Sequence, residues 1–460
     1  MNKFGPPVDR SMKVLNKAFF QKDVPLLVAC FPEPKYLGQF VKQCKDDILY
    51  KPAIKHIVTV DNVRGVLLRE DIDDLATYKD KLSPEAVQRI DEYKVEIKPY
   101  TMKLDYSFWK TDDILRSVLP EDLLEEIPGG FAQAGHVAHL NLREEFKPYG
   151  PLIGQVILDK NTKIETVVDK VDSIGNKFRT FKMNILAGKD DFLVEQSESG
   201  CKFRFDFSKV YWNSRLSTEH ERLINHFKPQ EVVGDVFAGV GPFAVPAGKK
   251  NVLVLANDLN PESYKYLQEN IKINHVSEFV KPFNLDGRDF IRQSPRLLLD
   301  WSNSAKVIEQ TKVTKRRKID PTTNEKIVVK DEKTTKVSIP KFFNNYAMNL
   351  PDSALTFLDE FVGLYSRDPE VAKVVKESPD FVLPTIHVHC FEKYSPQEQP
   401  EPSLEDLHAR VLEKINKLIG YELNIKDAQF HLVRRVAPTK PMFCVSFQLP
   451  EEVAFRTVEN

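Results

Sequence analysis

Four short segments in the C-terminal half carry residue types that could hold a nucleotide-like ligand. The first is Asp235-Val-Phe237-Ala-Gly239-Val-Gly241-Pro-Phe, directly after the apolar pair Val232-Val233. A glycine turn at the carboxyl end of a strand lets a ligand lie against the backbone, and the helix start beyond it offers N–H groups to anionic parts. Asp258 comes nineteen positions after Gly239, at the end of the next apolar run, where its carboxylate can accept hydrogen bonds from both ribose hydroxyls. Asp286-Gly287-Arg288 ends a third run and suits an adenine amino group. Asn349-Leu350-Pro351 ends a fourth, at the rim where a substrate base would enter.

The glycines alone also fit a dinucleotide enzyme, because Gly239-Val-Gly241-Pro-Phe-Ala satisfies G-x-G-x-x-G/A. Asp235, four residues before Gly239, favours S-adenosylmethionine instead, since it can hold an ammonium group that dinucleotides lack. Asn349-Leu350-Pro351 resembles the Asn/Asp-Pro-Pro turn of methyltransferases acting on amino or ring nitrogens, with Leu350 in place of the first proline. No Pro-Cys dipeptide occurs, which argues against a cytosine-C5 mechanism needing a thiolate nucleophile.

The elements that must position these residues alternate strand and helix from about 205 onward: VVGDVF, VLVLAND, the helix PESYKYLQENIKIN, KPFNLDGRDFI, FNNYAMNLP and FVLPTIHVHCFEK. The helix LEDLHARVLEKINKLIG and a closing pair, AQFHLVRRVAP and MFCVSFQL, complete the module. This α/β pattern predicts a doubly wound, Rossmann-like parallel sheet. Before it, residues 121–204 read as a small α+β module of strand-like runs, among them LIGQVILDK, IETVVDKV, KFRTFKMNIL and CKFRFDFSKV. Residues 1–120 form an N-terminal region that opens on a helical pattern over 8–20, also compatible with a basic import signal. A Lys/Arg-rich insertion at about 295–340 includes TKVTKRRK and lacks apolar periodicity, so it is expected to be mobile or ordered on binding. It could meet RNA phosphates, act as a nuclear import signal or be a solvated loop.

The chain has 66 Lys+Arg against 67 Asp+Glu in 460 residues, so a nucleic-acid partner can be held only by a local patch. Five scattered cysteines, Cys30, Cys44, Cys201, Cys390 and Cys444, never spaced C-x-x-C, point to a reducing compartment and away from a structural zinc site. His387 and His389 share a strand face, but no third ligand is evident, so no metal is expected. No apolar run approaches the roughly 20 residues that span a bilayer. A monomer is expected.

The segment Val210-Tyr-Trp-Asn-Ser-Arg-Leu-Ser-Thr-Glu-His-Glu-Arg-Leu, taken with HVAHLNLREE, FRTFKMNILAG, DVFAGVGPF, ANDLNP and NLP, resembles the archaeal and eukaryotic type of tRNA (guanine-N1) methyltransferase. The resemblance runs over about 120–460 and implies a class I methyltransferase domain, with residues 1–120 binding tRNA and 121–204 recognising the target base. It implies N1-methylation of guanosine 37, the first step toward wybutosine in tRNA-Phe, in cytoplasm and nucleus and in a mitochondrial matrix pool if residues 8–20 act in import. It further implies that Glu219 is the general base, that Arg179 stabilises charge on O6, and that Tyr211 packs on the flipped base while Asn349 and Pro351 position it. The implied cofactor set is His220, Asp235, Phe237, Gly239, Gly241, Asp258, Leu259, Asp286, Gly287 and Asn349. From the residues alone, Glu219 could merely favour its helix dipole, and Arg179, beside Lys177 and Lys182, could be a phosphate contact or a solvated strand residue. Three rivals stay open: transfer of the aminocarboxypropyl group of the same cofactor to a tRNA guanosine derivative, a tRNA-binding protein with a vestigial cofactor fold, and a nicotinamide dehydrogenase.

Overall fold

A computed structural model describes residues 2–171, 182–305, 307–319 and 326–458. The chain divides into two compact units: Met1–Ala132, Val137–Lys170 and Met183–Asp190 form one, and Gln133–His136, Val171–Lys182 and Asp191–Asn460 the other. Among the described residues no helix is long and apolar enough to cross a membrane.

The first unit is built on the strand Lys22–Cys30, which pairs antiparallel with Val63–Leu67 on one side and Glu96–Leu104 on the other. Both faces of this strand are covered. Val24, Leu26 and Val28 enter a core shared with the helices Thr111–Val118 and Gly150–Lys160, while Leu27, Ala29 and Phe31 pack beneath the helices Pro34–Gln43 and Pro84–Glu92. The first of these cores therefore runs across residue 120 without a break.

The structure corrects three expectations from the sequence. LIGQVILDK is not a strand but part of the helix Gly150–Lys160, burying Leu152, Ile153, Val156 and Ile157. A short apolar run fits either element by pattern, and Pro151 in the first helical turn was the distinguishing signal. Residues 8–20 are not a helix beyond the short 3-10 turn Lys17–Phe19. The Asp9 and Asn16 side chains accept hydrogen bonds from the nearby amides of Ser11 and Ala18, local bonds that compete with helical ones. Residues 295–304 belong to no insertion: they finish the helix Gly287–Ser304, with Leu298 and Leu299 buried. Beyond that helix the chain forms a two-stranded antiparallel hairpin, Val307–Ile319 with Lys326–Ser338, so TKVTKRRK lies on a strand.

The second unit holds a seven-stranded sheet whose order, in chain sequence of its own strands, is 3-2-1-4-5-7-6. The first strand, Val232–Asp235, lies between the second, Leu253–Asn257, and the fourth, Asn345–Met348, and is parallel to both, while the third, Val280–Phe283, pairs parallel with the second on its outer side. Thr385–Phe391 continues the parallel set, and Lys440–Gln448 runs antiparallel between it and Ala428–Ala437. The central strands are buried at every position, as parallel strands covered on both faces are. Connections leave the first strand toward the second and return to the fourth on its other side. That reversal opens a crevice at the strands' carboxyl ends, where ligands bind in folds of this type.

Candidate active site

A cavity of about 460 Å3 occupies that crevice. Phe237 and Gly239 line it beyond the first strand, Asp258 and Leu259 beyond the second, Asp286 and Gly287 beyond the third, and Asn349 and Pro351 beyond the fourth. Tyr211, 46% exposed, stands at its edge. All four segments read from the sequence thus meet around one volume, because parallel strands in register bring their carboxyl ends to one rim.

The glycine loop has the shape this requires. Gly239 adopts φ +55° with open space where a side chain would stand, and Gly241 adopts φ +99°. A Cβ on Gly241 would meet Val245 at 2.7 Å and Leu267 at 2.9 Å, so Gly241 lets the following helix pack closely and is not among the cavity's lining. Asp258 braces the loop: its Oδ2 accepts from the Gly239 amide at 2.8 Å and its Oδ1 from the Asn260 amide at 2.9 Å. Burial pushes the Asp258 carboxyl up, opposed by these amides. Asp286 caps the helix Gly287–Ser304, its Oδ1 accepting from the Arg288 amide.

Three polar atoms beside the crevice lack hydrogen-bond partners although buried: both carboxylate oxygens of Asp235 and Oδ1 of Asn349. Asp235 is fully buried at the end of the first strand. Burial, then the charge of Asp258, pushes its carboxyl up to about 8, while His389 and the nearby Phe237 amide act weakly the other way. A buried carboxylate without partners is costly unless a cation or donor arrives, so Asp235 fits an ammonium group and Asn349 fits a ligand N–H.

Glu219 and His220 are placed differently from the rest. Neither is among the residues lining the cavity, nor is Asp235, which lies one step behind it at the end of the first strand. His220 is buried, with Nδ1 2.5 Å from Glu198 Oε1. Glu219 is also buried; its carboxylate accepts from Arg222 through Nε at 2.6 Å and Nη2 at 2.7 Å, and from His389 Nε2 at 2.7 Å. Burial alone would raise this carboxyl, but Arg222 and His389 outweigh it and hold it down at about 2. Arg179 lies outside the described residues. The sequence offered no third ligand beside His387 and His389; the fold brings Glu219 and Cys444 to His389, with ligand atoms within 4.8 Å of it and of each other. Arg222 already claims Glu219, which leaves that group an ion-pair cluster. His387 is not part of it and instead meets Ser446 Oγ at 2.7 Å and Asn345 Oδ1 at 3.0 Å.

Sequence reasoning missed Asn257. Its Nδ2 donates to the Val236 and Leu285 carbonyls, each at 3.1 Å, and its Oδ1 accepts from the Leu285 amide at 2.9 Å. One side chain so ties the loops after the first and third strands. Its position directly before Asp258 was the available signal. Phe357 and Phe391, which also line the cavity, lie in segments with no motif, whereas Leu216 lies within the Val210–Leu223 segment but was given no role.

The strand order, the glycine loop and the acidic residue ending the second strand define a class I, Rossmann-like methyltransferase fold. Residues 194–319 match the TRM5/TYW2 methyltransferase domain, and residues 111–191 match the TYW2 N-terminal domain. The chain is 60% identical to the tRNA (guanine(37)-N(1))-methyltransferase of Candida albicans over 99% of both chains. It is 49% identical to that of Saccharomyces cerevisiae, over 98% of this chain and 95% of the yeast protein. The crystal structure of Trm5b from Pyrococcus abyssi, 22% identical, superimposes with a TM-score of 0.55 over 92% of this chain and 98% of that one. The chain belongs to the tRNA (guanine(37)-N(1))-methyltransferase family.

Proposed function

We propose that the protein, acting as a monomer, transfers a methyl group from S-adenosylmethionine to N1 of guanosine 37 in tRNA. The observation that carries this is the cavity at the switch point, with a buried, unpartnered carboxylate at the end of the strand that leads into its glycine loop, in a chain full-length similar to methyltransferases of that name.

Asp235 receives the cofactor's ammonium group, Asp258 its ribose and Asp286 its adenine edge, while Phe237, Gly239, Leu259 and Gly287 form the walls. The cofactor supplies an electrophilic methyl group. The chain's residues prepare the other reactant. Guanine N1 carries a proton at neutral pH, and its lone pair is available only once that proton leaves. Glu219 takes it, a role worth roughly 10²–10⁴-fold. The family resemblance gives Arg179, outside the described residues, the role of stabilising the charge that shifts onto O6. Asn349 Oδ1 accepts from a guanine N–H, and Pro351 fixes the turn, its carbonyl accepting from the Phe391 amide at 3.0 Å. Tyr211 offers an aromatic face that returns about 1–3 kcal/mol of the cost of unstacking the base.

The test is incubation with unmodified tRNA bearing guanosine 37 and S-adenosylmethionine, followed by nucleoside mass spectrometry. The expected product is 1-methylguanosine, absent when that guanosine is changed to adenosine. An aminocarboxypropyl adduct overturns the assignment.

A further inference from the structure

Strand register assembles the cluster beneath Glu219. His431, Cys444 and His389 stand directly opposite one another across three neighbouring antiparallel strands, and so share one face of the sheet. The helix Ser217–His226 lays Glu219 and Arg222 over that face. The Glu219 and His389 side chains are 2% and 0% exposed, whereas Arg222 and His431 reach solvent at 33% and 47%. Glu219 therefore sits between a buried imidazole and a solvent-linked guanidinium, with His431 Nε2 a further 3.5 Å from its Oε2.

Among the described residues, the groups facing this carboxylate come from its own helix and from the sheet. On the helix Arg222 binds it, while His220 is turned to Glu198. From the sheet come His389, His431 and Cys444, with the His387 ring meeting His226 edge to face on the same side. The second ring nitrogen of His389, Nδ1, is buried without a hydrogen-bond partner, and Asp235 is the acidic group whose field reaches it. Burial opposes a charged ring at His389, but the Cys444 sulfur and the Glu219 carboxylate lift its ionisation to about 10. A carboxylate held this tightly by two cations is ionised but a poor proton acceptor, because accepting a proton sacrifices at least one of these bonds and the attraction to both charges.

We propose that Arg222 and His389 clamp Glu219 away from the cavity, and that His389 is the positioning residue whose release frees Glu219 to take the N1 proton. The inference rests on the reading of Glu219 as proton acceptor. On release, the His389–Glu219 hydrogen bond breaks with the proton staying on His389, and the N1 proton passes to a Glu219 oxygen. The electron pair of the N1–H bond remains on the ring, leaving N1 nucleophilic toward the methyl group that a bound cofactor would supply. The clamp thereby couples arrival of the correct base to the strength of the base catalyst, since only a bound guanine offers Glu219 a replacement donor.

Two measurements on the full-length protein test this. Histidine-selective 15N NMR should show one imidazolium persisting at pH 8.5 in the wild type, where ordinary histidines are neutral, and should lose it in Glu219→Gln. Neutral rings throughout the wild type overturn the clamp without any variant. In single-turnover methylation of tRNA at saturating cofactor, His389→Gln should move the acid limb of the rate up by about one to three pH units. A slow Glu219→Gln together with an unmoved His389→Gln limb overturns the release step alone. A wild-type rate in Glu219→Gln overturns the base reading and the release step together, while the imidazolium signal still reports whether the ion pair exists.

Discussion

At the scale of single residues, two carboxylates do opposite things with burial. Glu219 is buried among cations and stays ionised; Asp235 is buried without a partner and is held protonated up to about 8. For Glu219→Gln the expected outcome is nearly intact cofactor affinity with a single-turnover rate lower by about two to four orders of magnitude. Stopped or quenched-flow methyl transfer alongside calorimetric cofactor titration checks both halves. Asp235 predicts a proton effect. Below about pH 8 its carboxyl must lose a proton before it can hold an ammonium group, so cofactor binding should release a proton and tighten as pH rises from 6 toward 8. Calorimetry in buffers of different ionisation enthalpy measures that proton directly. Asp235→Asn should abolish the release and weaken binding about 10- to 100-fold, the worth of a charged hydrogen bond.

At the scale of elements, the site depends on how strands end. Gly241 turns the chain from the first strand into its helix with a backbone conformation that side chains resist. Gly241→Ala should cost about 1–3 kcal/mol from backbone strain alone, seen as a lower denaturation midpoint, with added loss from the contact to Val245 and Leu267. The hairpin Val307–Ile319 with Lys326–Ser338 is the other element with a consequence. Each strand has 13 residues, so it extends about 40 Å, and its root is fixed by buried Ile308 and Val337. Residues 307–338 hold nine Lys/Arg against five Asp/Glu, including the run Lys315–Lys318. Replacing residues 309–336 with a short turn should raise the KM for tRNA, flatten its dependence on salt and leave cofactor affinity unchanged. Equal KM and salt slope in the shortened protein would remove the hairpin from tRNA binding.

For the molecule as a whole, near-zero net charge means that tRNA affinity comes from local patches and not from a global field. Stability against pH is also a property of the whole fold, and His387 gives its sign. Burial first, then the neighbouring charges of His226, His389 and Arg222, hold it down to about 3. A buried neutral histidine contributes fully above its unfolded value of 6.5 and loses that contribution as pH falls toward about 3. The stability advantage of wild type over His387→Gln should therefore shrink as pH is lowered from 7 to 4, read as a narrowing gap in Tm.

The sequence by itself determined the parts of this protein that depend on local chemistry. A glycine turn, an acidic residue after a second apolar run, and an Asn-Leu-Pro turn each announce their backbone, and strand–helix alternation forces their common rim. Family resemblance carried the reaction beyond what spacing could say. The sequence was weaker where one pattern fits two elements, as for Gly150–Lys160, and where local side-chain bonds override helical periodicity, as over 8–20. Only the tertiary structure decided what surrounds Glu219. His389, Cys444 and His431 come from strands 170 or more residues away, and which of them face the helix depends on register between strands that no local pattern encodes. The chemistry of a carboxylate is set by its neighbours in space, so a residue whose type was legible at once had its state fixed only by the fold.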